Sequence, residues 1–364
     1  MSRLSRRVIH LASGREWRGG QNQVLLLSRA LAAQSDLVEQ VVVTGRGTRL
    51  AEELSRAGVP VRLVTWRAGL SPAALLGALR EVNRGPGLLH AHDAHALTLA
   101  GSAGALTGTP YVVTRRVDFH LRRPGFWARA ARVIAISDAV RRILLEDGID
   151  PARIVTVPSG IDVGAVRRTR PGGIRRELGL PETVPLAVSV GALVGHKDHA
   201  TLVDAAALLR ARQPELHWVI AGEGPLRGKL EAQIASLGLA DRVRLLGHVD
   251  EPLRLIAAAD VFVMSSAEEG LGTSVLDAMA LDVPIAATRA GGIPEMLEGG
   301  AGLLTAPRDG AALASSVDQL LSDASIRADV VGRAQSRVER WSAQAMAEGV
   351  LGVYRSVAES VDLK

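Results

Sequence analysis

The stretch Ser265 to Ala280, SSAEEGLGTSVLDAMA, sets acidic residues, two glycines and a helix start in one short loop. Val261 to Met264 read as a buried strand and the apolar run Val275 to Ala280 as a helix, so residues 269–274 form the turn between them. The carboxyl end of a strand is where open parallel sheets bind ligands. Unpaired backbone N–H groups from Thr273 onward make a helix N-terminus suited to phosphate, bordered by Gly272 and Ser274. Glu269 lies beside that anion site, and a carboxylate there suits two vicinal hydroxyls, as a sugar offers. Asp277 fits the acid of a capping box Ser274-Val275-Leu276-Asp277.

The spacing of Glu269 and Asp277 resembles the Glu-x7-Glu motif of retaining glycosyltransferase family 4, with Asp in place of the second Glu. The resemblance implies an α/β protein of GT-B fold, two doubly wound parallel-sheet domains facing across a cleft. It also implies that Glu269 holds hydroxyls of the donor sugar, Asp277 holds the nucleotide ribose, and the helix start with Gly272, Thr273 and Ser274 receives the diphosphate. Asp is shorter than Glu by roughly 1.5 Å of reach, so either the ribose sits closer or another group holds it. Lys197, in GALVGHKDH after the first strand of the second half, matches the family lysine that meets the diphosphate. Fixed cations and N–H dipoles of this kind stabilise a departing phosphate. Where the family usually has an arginine this chain has Ala192, and His196, Arg116 and Arg289 are candidates to supply the charge instead. An arginine is favoured because its fork matches phosphate.

Other motifs follow the same resemblance. Gly222-Glu223-Gly224-Pro225 is similar to the loop bordering the nucleotide, His248 and Val249 lie where the base is read, and Glu295 is a secondary hydroxyl contact. Trp17-Arg18-Gly19-Gly20-Gln21 opens a helix after the first strand; Gly19 and Gly20 are read as donor-binding or as a simple turn, with Gln21 as a hydrogen-bonding neighbour. His92 and His120 match residues near the reaction centre, which with Lys197 and Glu269 completes the catalytic candidates. His90 alone reads as a satisfied core histidine. The segment HAHDAH, His90 to His95, offers a rival reading as a metal hydrolase, but its Asp93 stands in the wrong order for the His-x-His-x-Asp-His set. The transferase reading requires no metal and no cofactor. A sugar-nucleotide 2-epimerase and an inactive nucleotide-sugar-binding protein also stay open, the second because of Ala192 and Asp277.

The elements positioning these residues are legible from composition. At 364 residues the chain exceeds one ordinary core. Short apolar runs alternate with helical segments, which marks parallel sheets wrapped by helices. Residues 1–165 are expected to form the acceptor-side domain and 166–340 the nucleotide-sugar domain, with a helix at about 341–364 returning to the first. Pro158 to Pro185 reads as the linker. Hydrophobic residues make up 47% and aromatics 3%, so Ala, Leu and Val must build the cores. There is no cysteine, which excludes disulfides and thiolate chemistry. The balance of 43 basic to 38 acidic residues, +5, fits anionic substrates, whereas sparse aromatics argue against nucleic acid.

Phe119, Phe126 and Trp127 interleave with Arg115 and Arg116, which reads either as an interfacial surface or as ordinary packing beneath a helix. The expected partners are a nucleoside-diphosphate sugar and a glycan or lipid-linked acceptor in cell-envelope synthesis. The expected location is the cytoplasm, with peripheral contact on the inner face of an anionic membrane. The N-terminus MSRLSRRVIHLAS shows no signal-peptide core, and no run approaches ~18 apolar residues. Lys197→Ala and Glu269→Ala are expected to lower transfer with the melting temperature nearly unchanged.

Overall fold

The computed structural model describes residues 7–34, 36–66 and 71–362; Arg3 and Arg6 of the N-terminal run lie outside the described residues. The chain forms two compact units, one running to Gly160 and resuming at Ser342, the other Ile161–Trp341.

The first unit contains β1 (Arg7–Ala12), β2 (Glu39–Gly45), β3 (Val61–Val64), β4 (Leu88–Ala91), β5 (Tyr111–Arg115), β6 (Arg132–Ala135) and β7 (Ile154–Thr156). They form one parallel sheet in the order β3-β2-β1-β4-β5-β6-β7. The second contains β8 (Leu186–Val190), β9 (His217–Ala221), β10 (Val243–Gly247), β11 (Val261–Met264), β12 (Ile285–Thr288) and β13 (Leu303–Thr305). Their order is β10-β9-β8-β11-β12-β13, again parallel. Central strands such as β1, β4 and β11 are buried along their whole length, which is why they read as unbroken apolar runs rather than alternating ones.

Each order reverses once, between β1 and β4 in the first sheet and between β8 and β11 in the second. At such a switch point successive crossovers leave in opposite directions and open a crevice beyond the strand ends. Gly19, Gly20 and Gln21 follow β1, His92 follows β4, Lys197 follows β8 and Glu269 follows β11, whereas Arg116 and His120 follow β5, Gly222 and Gly224 follow β9, His248 and Val249 follow β10, and Arg289 and Glu295 follow β12.

Side chains of Trp218, Val261, Val263 and several leucines fill the second unit around the helices His199–Leu209 and Gly310–Ser322. In the first unit the C-terminal helix Ala343–Asp362 supplies Met346, Val350, Leu351, Tyr354 and Val357 to a core shared with Leu27 and Leu31 of the helix Gly19–Ala32. The stretch Pro158 to Pro185 is not a bare connection. It carries the short helices Val163–Arg168 and Ile174–Glu177 and buries Val163, Val166 and Leu180. Among the described residues no helix is long and apolar enough to cross a membrane.

Candidate functional site

In the second unit the loop after β8 makes a 3-10 turn, Gly195–Lys197, and turns sharply through Asp198 (φ +46°) into the helix His199–Leu209. The loop after β11 is tied to it. The His196 carbonyl accepts from the N–H groups of Ala267 (2.8 Å) and Glu268 (3.2 Å), and the Ser265 hydroxyl donates to the Lys197 carbonyl (3.1 Å). This stitching brings Lys197 and Glu269 together as an ion pair, with side chains only 16% and 12% exposed. Ser266 adds a hydrogen bond to the same Glu269 carboxylate at 3.2 Å.

The pairing revises one expectation. Removing either partner strands a half-hidden charge, so the melting temperature will not stay unchanged.

Glycines shape the walls because backbone approaches backbone. A Cβ on Gly291 (φ +50°) would stand 1.3 Å from the Glu269 carbonyl, and one on Gly222 would stand 1.9 Å from that of Gly191. The Gly222–Gly224 loop thus serves the protein's own packing against the Gly191–Leu193 turn, whatever it also borders.

The helix Thr273–Ala280 starts from Gly272 in the left-handed region (φ +87°). Ser274 is therefore inside the helix and its hydroxyl donates to the Val190 carbonyl (3.4 Å), so the capping-box reading of Ser274 and Asp277 is overturned. Asp277 keeps slight solvent access but has no side-chain hydrogen bond among the described residues. Burial pushes its carboxyl up to about 7.

His199 is a residue that sequence reasoning missed. Its buried ring lies against Gly191 near Lys197, and its contacts to the Gly191 and Ala192 backbone fall short of hydrogen-bond geometry. Burial first, and Lys197 second, lower it to about 4, so it adds no charge in place of the missing arginine at Ala192. Of the other candidates, Arg289 is exposed beyond β12 and Val249 is half-buried, whereas His248 is exposed and 3.3 Å from Asp250. Glu295 is half-buried on the short helix Ile293–Met296.

In the first unit β1 and β4 pair with His10 opposite His90, and His92 follows β4. His90 bonds the hydroxyls of Tyr354 (2.6 Å) and Thr114 (2.7 Å), the satisfied core histidine expected. Arg116 donates to the His92 carbonyl (3.2 Å) and to its Nδ1 (3.4 Å). Burial holds all three histidines well below the usual range, hence neutral, and lowers Arg116 to about 10. The tautomers follow. His92 Nδ1 accepts from Arg116, so its Nε2–H donates to His10 Nδ1 at 2.9 Å, and His10 must carry its proton on the buried, unpartnered Nε2.

His92 has no nitrogen left for proton transfer, and its evident task is to hold Arg116. That arginine lies beside Gly20, whereas nothing packs where a Gly19 side chain would stand. Gln21 turns back to accept from the Arg18 N–H (3.3 Å). Tyr354→Phe is expected to orphan His90 Nδ1 and destabilise the fold by about 1–3 kcal/mol, read as a lower urea midpoint with unchanged slope.

The nitrogens of His10, His90 and His92 lie within 4.8 Å of one another, a set that could in geometry hold a metal ion. The third member, His10, is a lone histidine that no His-rich segment marks in the sequence. The chemistry opposes the ion. His90 already spends both nitrogens on hydroxyls, and a permanent cation, Arg116, adjoins His92. HAHDAH is also dispersed: Asp93 caps the helix Ala94–Thr107 and binds Ser13, while His95 is exposed.

His120 stands apart from this cluster. It is 64% exposed and bonds Asp147 (2.8 Å), which raises its pKa. Trp127 is buried under Arg115, and Phe126 fills the space beside Gly101, which leaves Phe119 as the exposed aromatic of the expected interfacial surface.

The family described as "Glycosyl transferases group 1" matches residues 173–337, and "Glycosyltransferase Family 4" matches residues 17–165. A 2-deoxystreptamine glucosyltransferase of Streptomyces kanamyceticus is 30% identical over 83% of this chain and 89% of that protein. A D-inositol 3-phosphate glycosyltransferase of Acidothermus cellulolyticus is 30% identical over 90% of this chain and 79% of that protein. The match to the lipopolysaccharide core biosynthesis glycosyltransferase LpsE of Rhizobium meliloti, at 32%, covers only 50% of this chain and 53% of that protein. Among solved structures, Anabaena Alr3699/HepE in complex with UDP and glucose superposes with a TM-score of 0.84 at 21% identity, covering 96% of this chain and all of that one. At that identity the likeness is one of fold.

Proposed function

Because this chain belongs to glycosyltransferase family 4 and has the GT-B fold, we propose that it moves a sugar from a nucleoside-diphosphate sugar to a glycan or lipid-linked acceptor with retention at the anomeric carbon. The observation that carries this reading is the Lys197–Glu269 pair at the switch point of the second sheet. An ammonium has three N–H donors; Glu269 takes one, and the others serve the diphosphate. The N-terminus of the helix Thr273–Ala280 adds N–H dipoles to the same charge. Both stabilise the phosphate as it departs. Glu269 and Asp277 accept from sugar and ribose hydroxyls, and the departing phosphate oxygen takes the acceptor proton.

The UDP and glucose bound by the Anabaena protein support a uridine diphosphate donor. The lipopolysaccharide relative supports an envelope glycan or glycolipid as the product.

Thermal-shift screening with uridine, guanosine and adenosine diphosphate sugars tests the donor class. A ligand at 100 times its Kd should stabilise the fold by about 2.7 kcal/mol. With an acceptor present, the anomeric proton coupling of the product should match that of the donor. Inverted product, product without acceptor, or chelator-sensitive hydrolysis would each replace this reading.

A further inference from the structure

We propose that a cavity in the first unit, at the carboxyl ends of β2 and β3, binds a phosphate-bearing sugar or cyclitol as the acceptor. This rests on the transferase reading and adds the acceptor's chemical class. The cavity measures about 400 Å³. Arg15 and Arg46 line it with Thr48, Val64, Thr65 and Trp66, and no acid is among its described lining residues.

Both arginines are exposed, and among the described residues neither guanidinium has an ion pair or hydrogen bond, whereas nearby Arg18 pairs with Glu16, Arg56 with Glu53 and Arg62 with Glu81. Glu16, the acid beside Arg15 in the chain, is thereby already neutralised.

A second observation points the same way. Thr48 caps the helix Arg49–Arg56, so the positive end of that helix meets the cavity wall, and its first residue is Arg49, held 4.9 Å over Trp17. A cation at a helix start is disfavoured by the helix dipole. Arg49 thus adds a cation close to the two arginines, while Glu52 is the acid of that first turn. A neutral acceptor gains little from that field and a cationic one is repelled, but a phosphate accepts the forked N–H groups of both arginines. Val64 and Trp66 give the same cavity an apolar wall for a ring.

The relatives' names present two contrasting chemistries, and the free arginines favour one of them. A 2-deoxystreptamine carries two amines and is cationic at neutral pH, whereas D-inositol 3-phosphate is an anion.

The test is calorimetry on the full chain with D-inositol 3-phosphate, glucose 6-phosphate, myo-inositol, 2-deoxystreptamine and inorganic phosphate. The phosphorylated polyols should bind at least about tenfold tighter than myo-inositol, weaken with added salt, and lose about tenfold in the double variant Arg15→Gln/Arg46→Gln. Both arginines are exposed, so the variant should fold, which its melting temperature checks. Equal binding to the two proteins, preference for 2-deoxystreptamine, or inorganic phosphate binding as tightly as the phosphorylated polyols would overturn the proposal. Titration with UDP separates the two failures. Normal UDP affinity without phosphate preference removes only the acceptor assignment, whereas absence of UDP binding removes the transferase reading beneath it.

Discussion

Lys197→Met is expected to lower sugar transfer by about 10²-fold or more, the usual loss when one fixed donor to developing charge is removed. Glu269→Gln is expected to lower transfer as well, but with an opposite effect on nucleotide. The carboxylate that shares the Lys197 ammonium is an anion competing with the diphosphate. Replacing it with a neutral amide frees that cation, so a nucleoside diphosphate lacking the sugar should bind the Gln variant more tightly than the native protein. A sugar-linked nucleotide should gain less, because its hydroxyls lose their acceptor.

Stability has to be read alongside. A buried charge left without its partner costs about 3–5 kcal/mol, and this pair keeps some solvent access, which reduces that cost. The double variant Lys197→Met/Glu269→Gln leaves no stranded charge and should recover most of the stability without recovering transfer. Recovery of both would show that the single variants fail through folding alone.

The second large effect is a pH dependence located at Asp277. Burial raises its carboxyl to about 7, so between about pH 4 and pH 7 the folded chain holds a proton that the unfolded chain releases. Stability must then fall as pH rises through that window and stay low above it, by about 1.4 kcal/mol for each pH unit crossed. Asp277→Asn should be close to neutral near pH 4 and stabilising near pH 8. Nucleotide binding should move the other way. Ribose hydroxyls donate to the ionised carboxylate, so native affinity should rise with pH through about 7 relative to the Asn variant. The phosphates of the ligand titrate alike against both proteins, so the difference isolates Asp277. A stability difference independent of pH would remove the raised carboxyl, and parallel affinity profiles would remove its ribose role.

The strands were legible because parallel strands covered on both faces leave continuous apolar runs, such as VFVM at β11 and LAVSV at β8. Lys197 and Glu269 stood out by type and by their place just after those runs. Their mutual pairing did not, because it joins positions 72 residues apart and depends on how β8 and β11 become neighbours. His10 was hidden for the same reason. A single histidine inside an apolar strand carries no local signal, and its meaning appears only when register sets it against His90.

The capping box at Ser274 failed on a local ambiguity. Ser-x-x-Asp looks alike whether the serine caps a helix or already lies within it, and the left-handed Gly272 decides for the latter. Phe126 and Trp127 also lie between arginines in sequence, Arg123 and Arg129, and only packing shows that they turn inward. Arg15 and Arg46 gave no pattern at all, since an arginine without a partner among the described residues shows only in three dimensions.

The most direct measurement is the affinity of a nucleoside diphosphate for the native chain, Lys197→Met and Glu269→Gln, by calorimetry at one ionic strength. If the lysine and the carboxylate share one anion site, affinities will be ordered Glu269→Gln above native above Lys197→Met, with the lysine variant weaker than native by at least about tenfold. Equal affinity in all three proteins would contradict that site.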